Sequence, residues 1–572
     1  MPRQGSLAAR MRRPAWAALL CAAAVLWAHA DEPELLFRFP AGGVVTTGPV
    51  VAEGRLWFIS DSKTLYVITV DGTAIGKRDM SFRRAPFIAP DPFGRAALPV
   101  DSSSIVLLNK AGQEVWTVRL DGAPEGPPSF GPDGRMYAQS SQRLYAFAAN
   151  GAALWSRELD ERVAAPLATG PGGGPLVGLA DGSVRLFSRD GAPLWNDGFQ
   201  SQPRFLATLG GMVVVALADG TVAVRAALEG VDSPEAQDPA AGTDERSDQR
   251  LGSSPLALAA GQDGFSILGS DGKVSAFSED GSLAWSAASG LRGAAGIERF
   301  QGRTVVLSRH AVRSFGQDGA LFRDLALTNA TGLPAVSHSG TVFSGATDWI
   351  LYAYRFERPF PYAGRQALPP MDREAAAMAA RREAMWVPGG STDDAVQRHL
   401  SDIEKSLKSG TIGEGAGDAA LYAAAVALGM LDAPFGSGAV PQLPTPRGAP
   451  ARIKACEVLG LFGSPEAVEL LTEVFRKDPE PSVRAAAAQA VALIGLDPDG
   501  RALEAFADKA AGLDSRTALA VIAAVESLYR ANGGLDDPSG ALALLRIAGS
   551  GSASTEVRRM ANDALRRVAS RN

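Results

Sequence analysis

The chain has 572 residues, which is longer than one ordinary domain and predicts at least two. Hydrophobic residues make up 46% and charged residues 21%, a balance that builds real cores and excludes global disorder. The formal net charge of −6 argues against nucleic acid and anionic lipid as partners, because both reward clustered Lys and Arg. The 63 glycines and 37 prolines suit a turn-dense β protein better than a helical enzyme.

The first thirty residues predict a signal peptide. Four arginines precede an apolar run, Ala15–Trp27. Ala28-His29-Ala30 follows this run and fits the small-x-small cleavage pattern. Cleavage after Ala30 would start the mature chain at Asp31 and change the formal net charge from −6 to −10, because the leader holds four arginines and no acid. No later stretch reaches the roughly 18 apolar residues that a membrane span needs. We therefore expect an exported, periplasmic or envelope-associated protein, with an uncleaved N-terminal anchor as the alternative.

The two cysteines indicate neither lipid attachment nor a disulfide. Cys21 follows Leu20, whereas a lipid-attachment site has Gly or Ala before its cysteine. After cleavage, Cys456 would be the only cysteine, so no disulfide could form within the chain. Cys456 lies on an apolar helical stripe, which predicts an inert core residue.

A seven-residue unit recurs eight times between Ser62 and Tyr354, at a nearly constant interval that is longer only between the fifth and sixth copies. Each copy begins with a turn and continues as a strand of alternating apolar residues. Another strand precedes it, and an Asp-Gly or Asn-Gly pair typical of tight hairpins often follows. A repeat of about 40 residues with roughly four short strands predicts one blade of a β-propeller. The units are SKTLYVI from Ser62, SSSIVLL from Ser102, SQRLYAF from Ser141, DGSVRLF from Asp181, DGTVAVR from Asp219, DGKVSAF from Asp271, RHAVRSF from Arg309 and DWILYAY from Asp348.

The motif Asp-Gly-x-Φ-x-Ala-Phe followed by x-Asp-Gly-x-x-x-Trp resembles the repeat of pyrroloquinoline-quinone (PQQ)-type propellers over about residues 34–356. The resemblance implies that the tryptophan of each repeat docks between neighbouring blades, although a shared binding surface is the alternative. Gly76 and Arg323 stand at this place in two other repeats, and the fifth repeat lacks the turn. The tryptophans are Trp116, Trp155, Trp195 and Trp285.

Eight units predict eight blades, with seven blades and one irregular unit as the alternative. The last repeat stops at residues 354–356 without its final strand, and Glu34–Phe39 looks like that strand. We therefore expect the N-terminal strand to complete the last blade, within a propeller that spans residues 31–357, and to remove two exposed edges. Residues 230–250 are polar, acidic and without apolar periodicity, which predicts a disordered insertion or, alternatively, a partner-binding finger.

The last third of the chain carries helical patterns. Residues 358–372 predict a linker, 373–416 a helical linker region and 417–572 α-helical repeats. ARIKACEVLGLFG, from Ala451, and VRAAAAQAVALIG, from Val483, are two copies of one pattern, with Ala, Val and Leu on one helical face. Such repeats describe a helical-hairpin solenoid. The pattern resembles HEAT repeats, and this resemblance implies an inter-repeat structural role for Arg484.

No catalytic or metal-ligating motif stands out in the sequence. His310, His338 and His399 remain after the leader and lack metal-ligand spacing, and neither Gly-x-Ser-x-Gly nor His-Glu-x-x-His occurs. PQQ-dependent dehydrogenases carry a vicinal disulfide and a calcium-holding carboxylate set, whereas this chain has no paired cysteines. We therefore expect no cofactor, no metal and no enzymatic activity.

The expected function is a non-enzymatic scaffold for protein partners in the bacterial cell envelope. Propeller faces and solenoid grooves both serve this purpose. The propeller subunit of the outer-membrane protein assembly machinery is similar in repeat type, which implies a role in envelope or outer-membrane protein assembly. The alternative is a ligand- or glycan-binding propeller, or a glycan-active enzyme, whose central channel would be ringed by carboxylates or aromatic side chains. The sequence does not predict the oligomeric state.

Overall fold

The computed structural model describes residues 34–82, 85, 87–227, 247–300, 302–360, 370–386, 393–409, 416–429, 448–535 and 537–569. Within these residues the chain forms eight four-stranded antiparallel sheets followed by ten α-helices. The predicted fold class is confirmed, and the seven-bladed alternative is wrong. The predicted signal peptide, its cleavage site and most of the predicted insertion lie outside the described residues.

Each of the first seven blades is built from four consecutive strands. The first strands of neighbouring blades contact one another, so they surround the central channel and the fourth strands lie outermost. The strands, blade by blade, are β2 (Val45–Ala52), β3 (Arg55–Ser60), β4 (Thr64–Thr69) and β5 (Ala74–Asp79); β6 (Ala89–Pro90), β7 (Ala96–Pro99), β8 (Ser104–Leu108) and β9 (Glu114–Arg119); β10 (Ser129–Phe130), β11 (Met136–Ser140), β12 (Arg143–Phe147) and β13 (Ala153–Glu158); β14 (Ala168–Thr169), β15 (Pro175–Gly178), β16 (Ser183–Phe187) and β17 (Pro193–Gly198); β18 (Pro203–Leu209), β19 (Met212–Leu217), β20 (Thr221–Ala226) and β21 (Ser247–Arg250); β22 (Pro255–Gly261), β23 (Gly264–Gly269), β24 (Lys273–Phe277) and β25 (Leu283–Ala288); β26 (Ala294–Phe300), β27 (Arg303–Ser308), β28 (Ala311–Phe315) and β29 (Leu321–Ala326); and, in blade 8, β30 (Ala335–Val336), β31 (Thr341–Gly345), β32 (Ile350–Arg355) and β1 (Glu34–Pro40).

The N-terminal strand closes the ring. β1 pairs antiparallel with β32, from Glu34 opposite Arg355 to Pro40 opposite Ile350, and becomes the outermost strand of blade 8. The prediction of a closing strand is therefore confirmed. The pairing covers the free edge that β32 would otherwise expose.

Blade 5 differs from the sequence-based expectation at its outer strand. Residues 247–250, predicted to belong to the disordered insertion, form β21 and pair with β20 from Thr221 opposite Arg250 to Val224 opposite Ser247. Their sequence, SDQR, is wholly polar because an outermost strand in this position needs no apolar face. Strand propensity alone therefore gave no signal.

The helices form two layers. Alternate helices α4, α6, α8 and α10 pack side by side, and α5, α7 and α9 cover them, as expected for stacked helical hairpins. The helices are α1 (Arg373–Trp386), α2 (Asp393–Ser409), α3 (Ala416–Ala427), α4 (Ala449–Phe462), α5 (Ala467–Lys477), α6 (Pro481–Ile494), α7 (Arg501–Lys509), α8 (Ser515–Asn532), α9 (Ser539–Ala548) and α10 (Thr555–Ala569).

Residues 373–416 are more than the helical linker region predicted from the sequence. Ala376 of α1, Leu400 of α2 and Tyr422 of α3 are buried in the same hydrophobic core as Leu459 of α4. The helical module therefore begins at α1. The sequence obscured this because α1 to α3 lack the repeated pattern that marks the later helices.

Candidate functional site

A single row of paired residues crosses all four strands of every blade at the same level. In blade 3, Ser129 pairs with Tyr137, Tyr137 with Ala146, and Ala146 with Trp155. The outer end of this row is the repeat position that the sequence assigns to tryptophan, and its inner end faces the channel side. The outer residues, from blade 1 to blade 8, are Gly76, Trp116, Trp155, Trp195, Ser247, Trp285, Arg323 and Phe37.

The structure places the outer-row tryptophans against the next blade. Nε1 of Trp116 donates to the carbonyl of Ala149 at 3.0 Å, and Nε1 of Trp155 donates to the carbonyl of Arg189 at 2.8 Å. Trp195 packs with side chains of blades 4 and 5, and Trp285 lies with its ring centroid 5.9 Å from that of Phe315 in blade 7.

The third-to-fourth-strand turn of the next blade needs glycine where a tryptophan packs on it. Gly151 has a φ of +85°, and a Cβ there would lie 2.6 Å from the Trp116 ring. Any side chain at this position would therefore suffer both backbone strain and a clash. The turns at Gly151, Gly191 and Gly319 thus serve both as hairpins and as seats for a tryptophan of the preceding blade.

Phe37 is the residue of this row that sequence reasoning missed. It pairs with Ala353 in the last blade, and a Cβ on Gly72 of blade 1 would lie 2.9 Å from its ring, the same relation that Gly151 has to Trp116. The signal was present as an aromatic residue in the closing strand. It was hidden because Phe37 stands in the first strand of the chain, whereas the repeat that it completes is the last one.

The helical module docks on the propeller face that carries the first-to-second and third-to-fourth-strand turns. Nδ2 of Asn109 in blade 2 donates to the carbonyl of Arg530 at 2.8 Å. Nδ2 of Asn150 in blade 3 lies 3.3 Å from the carbonyls of both Gly460 and Leu493. These carbonyls belong to the last turns of α8, α4 and α6, where helix carbonyls lack the regular i+4 donor, and that of Gly460 also accepts from the backbone N–H of Gly463 at 3.2 Å. The two asparagines therefore cap three helices from outside the helical module.

Close backbone approach fixes this docking. Gly533 ends α8 with a φ of +72°, and a Cβ there would lie 2.8 Å from the backbone nitrogen of Ala111. Phe93 and Ala149 of the propeller are buried in the same hydrophobic core as the helices. The two modules thus share a core as well as hydrogen bonds.

A buried ion network extends the interface to blade 4. Asp133 is fully buried and contacts Arg135 at 3.2 Å and Arg189 at 3.3 Å, and Arg189 also pairs with Glu466 at the start of α5. Arg135 reaches Asp190 at 3.3 Å. Although burial opposes its charge, the carboxylates led by Asp133 raise the pKa of Arg135, so the guanidinium stays charged. Through Arg189 and Glu466 this network joins the helical module to the propeller.

The inner ends of the rows hold a single ionisable residue. Glu298 of blade 7 takes this position, and burial alone raises the pKa of its carboxyl from the ordinary 4.5 to about 7. The inner-row positions therefore place one carboxylate among small and aliphatic residues, and they do not bring several carboxylates or aromatic side chains together in the channel. The other inner residues are Val50, Ala89, Ser129, Ala168, Ala207, Ala259 and Ala335.

Replacing Glu298 by Gln should remove a pH dependence of stability between pH 4.5 and about 7. The folded state binds a proton that the unfolded state has released in this interval, so the stability contributed by Glu298 is complete below pH 4.5 and is lost as the pH rises to about 7. Thermal unfolding midpoints of the two proteins at pH 5 and pH 8 check this. We expect Glu298→Gln to gain most over the wild type at pH 8; an equal difference at both pH values would contradict the assignment.

Trp349 is strained and exposed on the opposite face of the ring. It stands in the turn between β31 and β32, where Asp181-Gly182 and Asp271-Gly272 place glycine, and it holds a φ of +69° with 58% of its surface exposed. Left-handed backbone costs an L-residue about 1–2 kcal/mol. The backbone of the turn is hydrogen-bonded, from Trp349 to Ala346 and from Ala41 to Trp349, but burial of the indole does not offset the strain, which makes Trp349 a candidate contact for another molecule.

Replacing Trp349 by Gly should stabilise the protein by about 1 kcal/mol, because glycine adopts a positive φ without strain. Urea denaturation of the wild type and the variant measures the difference. The matched change Trp349→Ala keeps the strain and should leave the free energy of unfolding nearly unchanged. A destabilised Trp349→Gly variant would show that the indole is a structural group after all.

The remaining sequence-derived candidates are distributed over separate elements. His310 lies in a turn of blade 7, His338 contacts the Phe300 ring in an edge-on geometry, and His399 contacts Tyr422 in the same way. Among the residues that the structure describes, His, Cys, Asp and Glu form no group of three able to hold a metal. In the same residues we find no helix with the length and apolar character of a membrane span.

Cys456 and Arg484 occupy structural positions in the solenoid. Cys456 is fully buried, and burial raises the pKa of its thiol to about 12, so it remains protonated at neutral pH. Arg484 donates to the carbonyls of Asp478 and Pro479 at 3.0 and 3.1 Å, and it lies 3.7 Å from Asp514 at the start of α8.

Comparisons with known proteins agree with this architecture. Residues 101–330 match the family described as outer membrane protein assembly factor BamB, and residues 449–528 match HEAT repeats. Both matches confirm the resemblances predicted from the sequence. Among the curated proteins the comparison finds no match.

Several solved propellers resemble the chain at low identity. BamB from Moraxella catarrhalis is 16% identical, with a TM-score of 0.43, over 57% of this chain and 98% of that one. The C-terminal WD40 domain of Sif2 is 12% identical, with a TM-score of 0.43, over 56% and 98%. Sqt1 from Saccharomyces cerevisiae is 10% identical, with a TM-score of 0.43, over 58% and 100%. These values are too low for the resemblances to carry an argument about function.

Proposed function

We propose that the chain is a non-enzymatic scaffold that holds protein partners in the bacterial cell envelope and serves the assembly of envelope or outer-membrane proteins. Trp349 is the observation that carries the proposal. An exposed indole kept in a strained turn is costly for folding and suits a contact with another molecule, since tryptophan is enriched among the residues that dominate binding energy.

The docking of the helices supports the same proposal. Asn109 and Asn150 tie three helix ends to blades 2 and 3, and Arg189 ties α5 to blade 4. The two modules therefore present their surfaces in a fixed relation, as a scaffold for more than one contact requires. Trp349 lies on the ring face opposite this docking. The family match over residues 101–330 and the predicted signal peptide support a place in the envelope.

In-cell crosslinking followed by affinity purification of the full-length protein tests the proposal. We expect a defined envelope protein to be captured by the wild type and its yield to fall at least about tenfold with Trp349→Ala, as for an interface hot spot. A matched variant, Trp116→Phe, alters a tryptophan between blades and should leave capture unchanged. Equal capture by wild type and Trp349→Ala would contradict the role of Trp349.

A glycan is the second candidate ligand, because an exposed indole also stacks on apolar faces of sugars. Thermal shift measurements with soluble peptidoglycan fragments separate the two. A shift that depends on Trp349, together with no captured protein, would replace the scaffold by the glycan-binding alternative. The single carboxylate among the inner row positions gives no independent support to glycan chemistry in the channel.

A further inference from the structure

The closure of the ring makes the junction between blades 7 and 8 different from those in which a tight turn seats the residue of the preceding blade. A turn between the third and fourth strands offers a seat to the outer-row residue of the preceding blade, as Gly151 does for Trp116. In blade 8 the fourth strand is β1, so no turn joins it to β32. Arg323, the outer-row residue of blade 7, therefore faces a place where the expected turn is missing.

This place is a cavity of about 470 Å³, which we call the seam. Beside it, the outer strand β29 is unusually open, with Leu321 54% and Phe322 52% exposed. The free backbone edge of an outer strand is a template for an added strand. The seam is lined by Arg303, Phe322, Arg323, Glu357, Arg358, Pro359 and Phe360.

The seam carries two positive charges in excess. Arg303 lies 3.4 Å from Glu357 and stacks over the Phe322 ring at 3.9 Å from its centroid. Arg323 and Arg358 are exposed, and neither makes an ion pair or side-chain hydrogen bond within the described residues. Two guanidiniums are thus available for carboxylates, which they bind in bidentate geometry.

Glu357 points to a ligand that also donates hydrogen bonds. Its side chain is 5% exposed, and its Oε1 has no hydrogen-bond partner in the described part of the chain. A buried acceptor without a partner is costly, so an occupant that supplies an N–H is favoured. Phosphate groups bring acceptors only and would be repelled by this carboxylate. A peptide backbone brings N–H groups together with carboxylate side chains.

We propose that the seam binds an acidic peptide segment of a protein partner. The segment adds along the edge of β29, places carboxylates on Arg323 and Arg358, donates a backbone N–H to Oε1 of Glu357 and rests an apolar side chain on Phe322. The proposal rests on the scaffold function and names the chemistry of one of its contact sites.

Fluorescence anisotropy of the full-length protein tests the site. The probe is a fluorescein-labelled octapeptide of alternating Glu and Leu, compared with the matching Lys and Leu peptide at about 150 mM salt. We expect the acidic peptide alone to bind, and the double change Arg323→Glu and Arg358→Glu to weaken it at least about tenfold. The matched double change Arg119→Glu and Arg292→Glu alters two other exposed arginines and should change binding less than about twofold.

Two further measurements distinguish other occupants. The variant Glu357→Gln keeps an acceptor oxygen and should bind the acidic peptide within about threefold of the wild type. Loss of acidic-peptide binding in this variant, together with binding of the Lys peptide by the wild type, would overturn the proposal. Binding of phosphatidylglycerol vesicles through Arg323 and Arg358, without binding of the acidic peptide, would also overturn it. If a partner is still captured in cells but the acidic peptide does not bind, the proposed role of the seam is wrong and the proposed scaffold function is unaffected.

Discussion

Replacing Trp155 by Ala should lower the free energy of unfolding by about 3–5 kcal/mol, the range found when a large buried aromatic residue is truncated. Trp155 is 6% exposed and packs between blades 3 and 4, where Nε1 donates to the carbonyl of Arg189. The change leaves a cavity and removes one of the two donors to this carbonyl, which keeps the Arg135 guanidinium at 3.0 Å. Urea denaturation followed by far-ultraviolet circular dichroism measures the loss.

The chain offers a matched control for this prediction. Trp349→Ala removes the same atoms from an exposed position and should change the free energy of unfolding by less than about 1 kcal/mol. If Trp155→Ala and Trp349→Ala lowered the free energy of unfolding equally, the packing of Trp155 between blades would contribute no more stability than an exposed indole does. A large loss at Trp155 alone would support inter-blade packing as its role.

Replacing Asn150 by Asp should loosen the helical module from the propeller, with a cost of about 2–4 kcal/mol. The carboxylate retains the acceptor that holds its own turn, through the backbone N–H of Ala152 at 3.1 Å. It loses both donors to Gly460 and Leu493 and places a negative charge at the negative ends of two helix dipoles. Small-angle scattering should show a larger radius of gyration, and thermal unfolding should separate into two transitions.

Asp280→Asn is the control for this change. Asp280 holds the equivalent turn of blade 6 through the backbone N–H of Ser282 at 3.0 Å, on an exposed part of the ring. We expect no change in the radius of gyration and less than about 0.5 kcal/mol in stability. An unchanged scattering curve for Asn150→Asp would mean that the shared hydrophobic core, with Phe93 and Ala149, holds the modules without the asparagine.

The propeller could be predicted because its signals are local and repeated. Hairpin turns and alternating strands recur at nearly constant spacing, and the tryptophan position repeats with them. Phe37 and β21 were missed for opposite reasons. Phe37 belongs to a repeat completed from the far end of the chain, and β21 is a strand of four polar residues without an apolar pattern.

The docking interface could be predicted only in part. Asn150 stands where Asp280 and Asp318 occupy the turns of other blades, and all three accept the same local hydrogen bond. The exchange of Asp for Asn was a usable signal, since it adds donors that the turn itself does not need. Which carbonyls receive them depends on the ends of α4 and α6, which lie far from Asn150 along the chain. The site at Trp349 could likewise be predicted only in part. Glycine at the same position in other repeats predicts its positive φ, but nothing in the sequence predicts that its side chain is exposed.

The pairing of β1 with β32 sets the order in which the molecule can be completed. Glu34 and Arg355 are separated by 321 residues, so the last blade is begun first and finished only after the other seven have been synthesised. Contacts between such distant segments form slowly, because the entropy of closing the loop is lost before the contact is gained. Until then both strands expose unpaired edges that can join another chain. A nascent ring is therefore open to intermolecular pairing at one place, and factors that delay release until residue 355 has emerged would favour its correct closure.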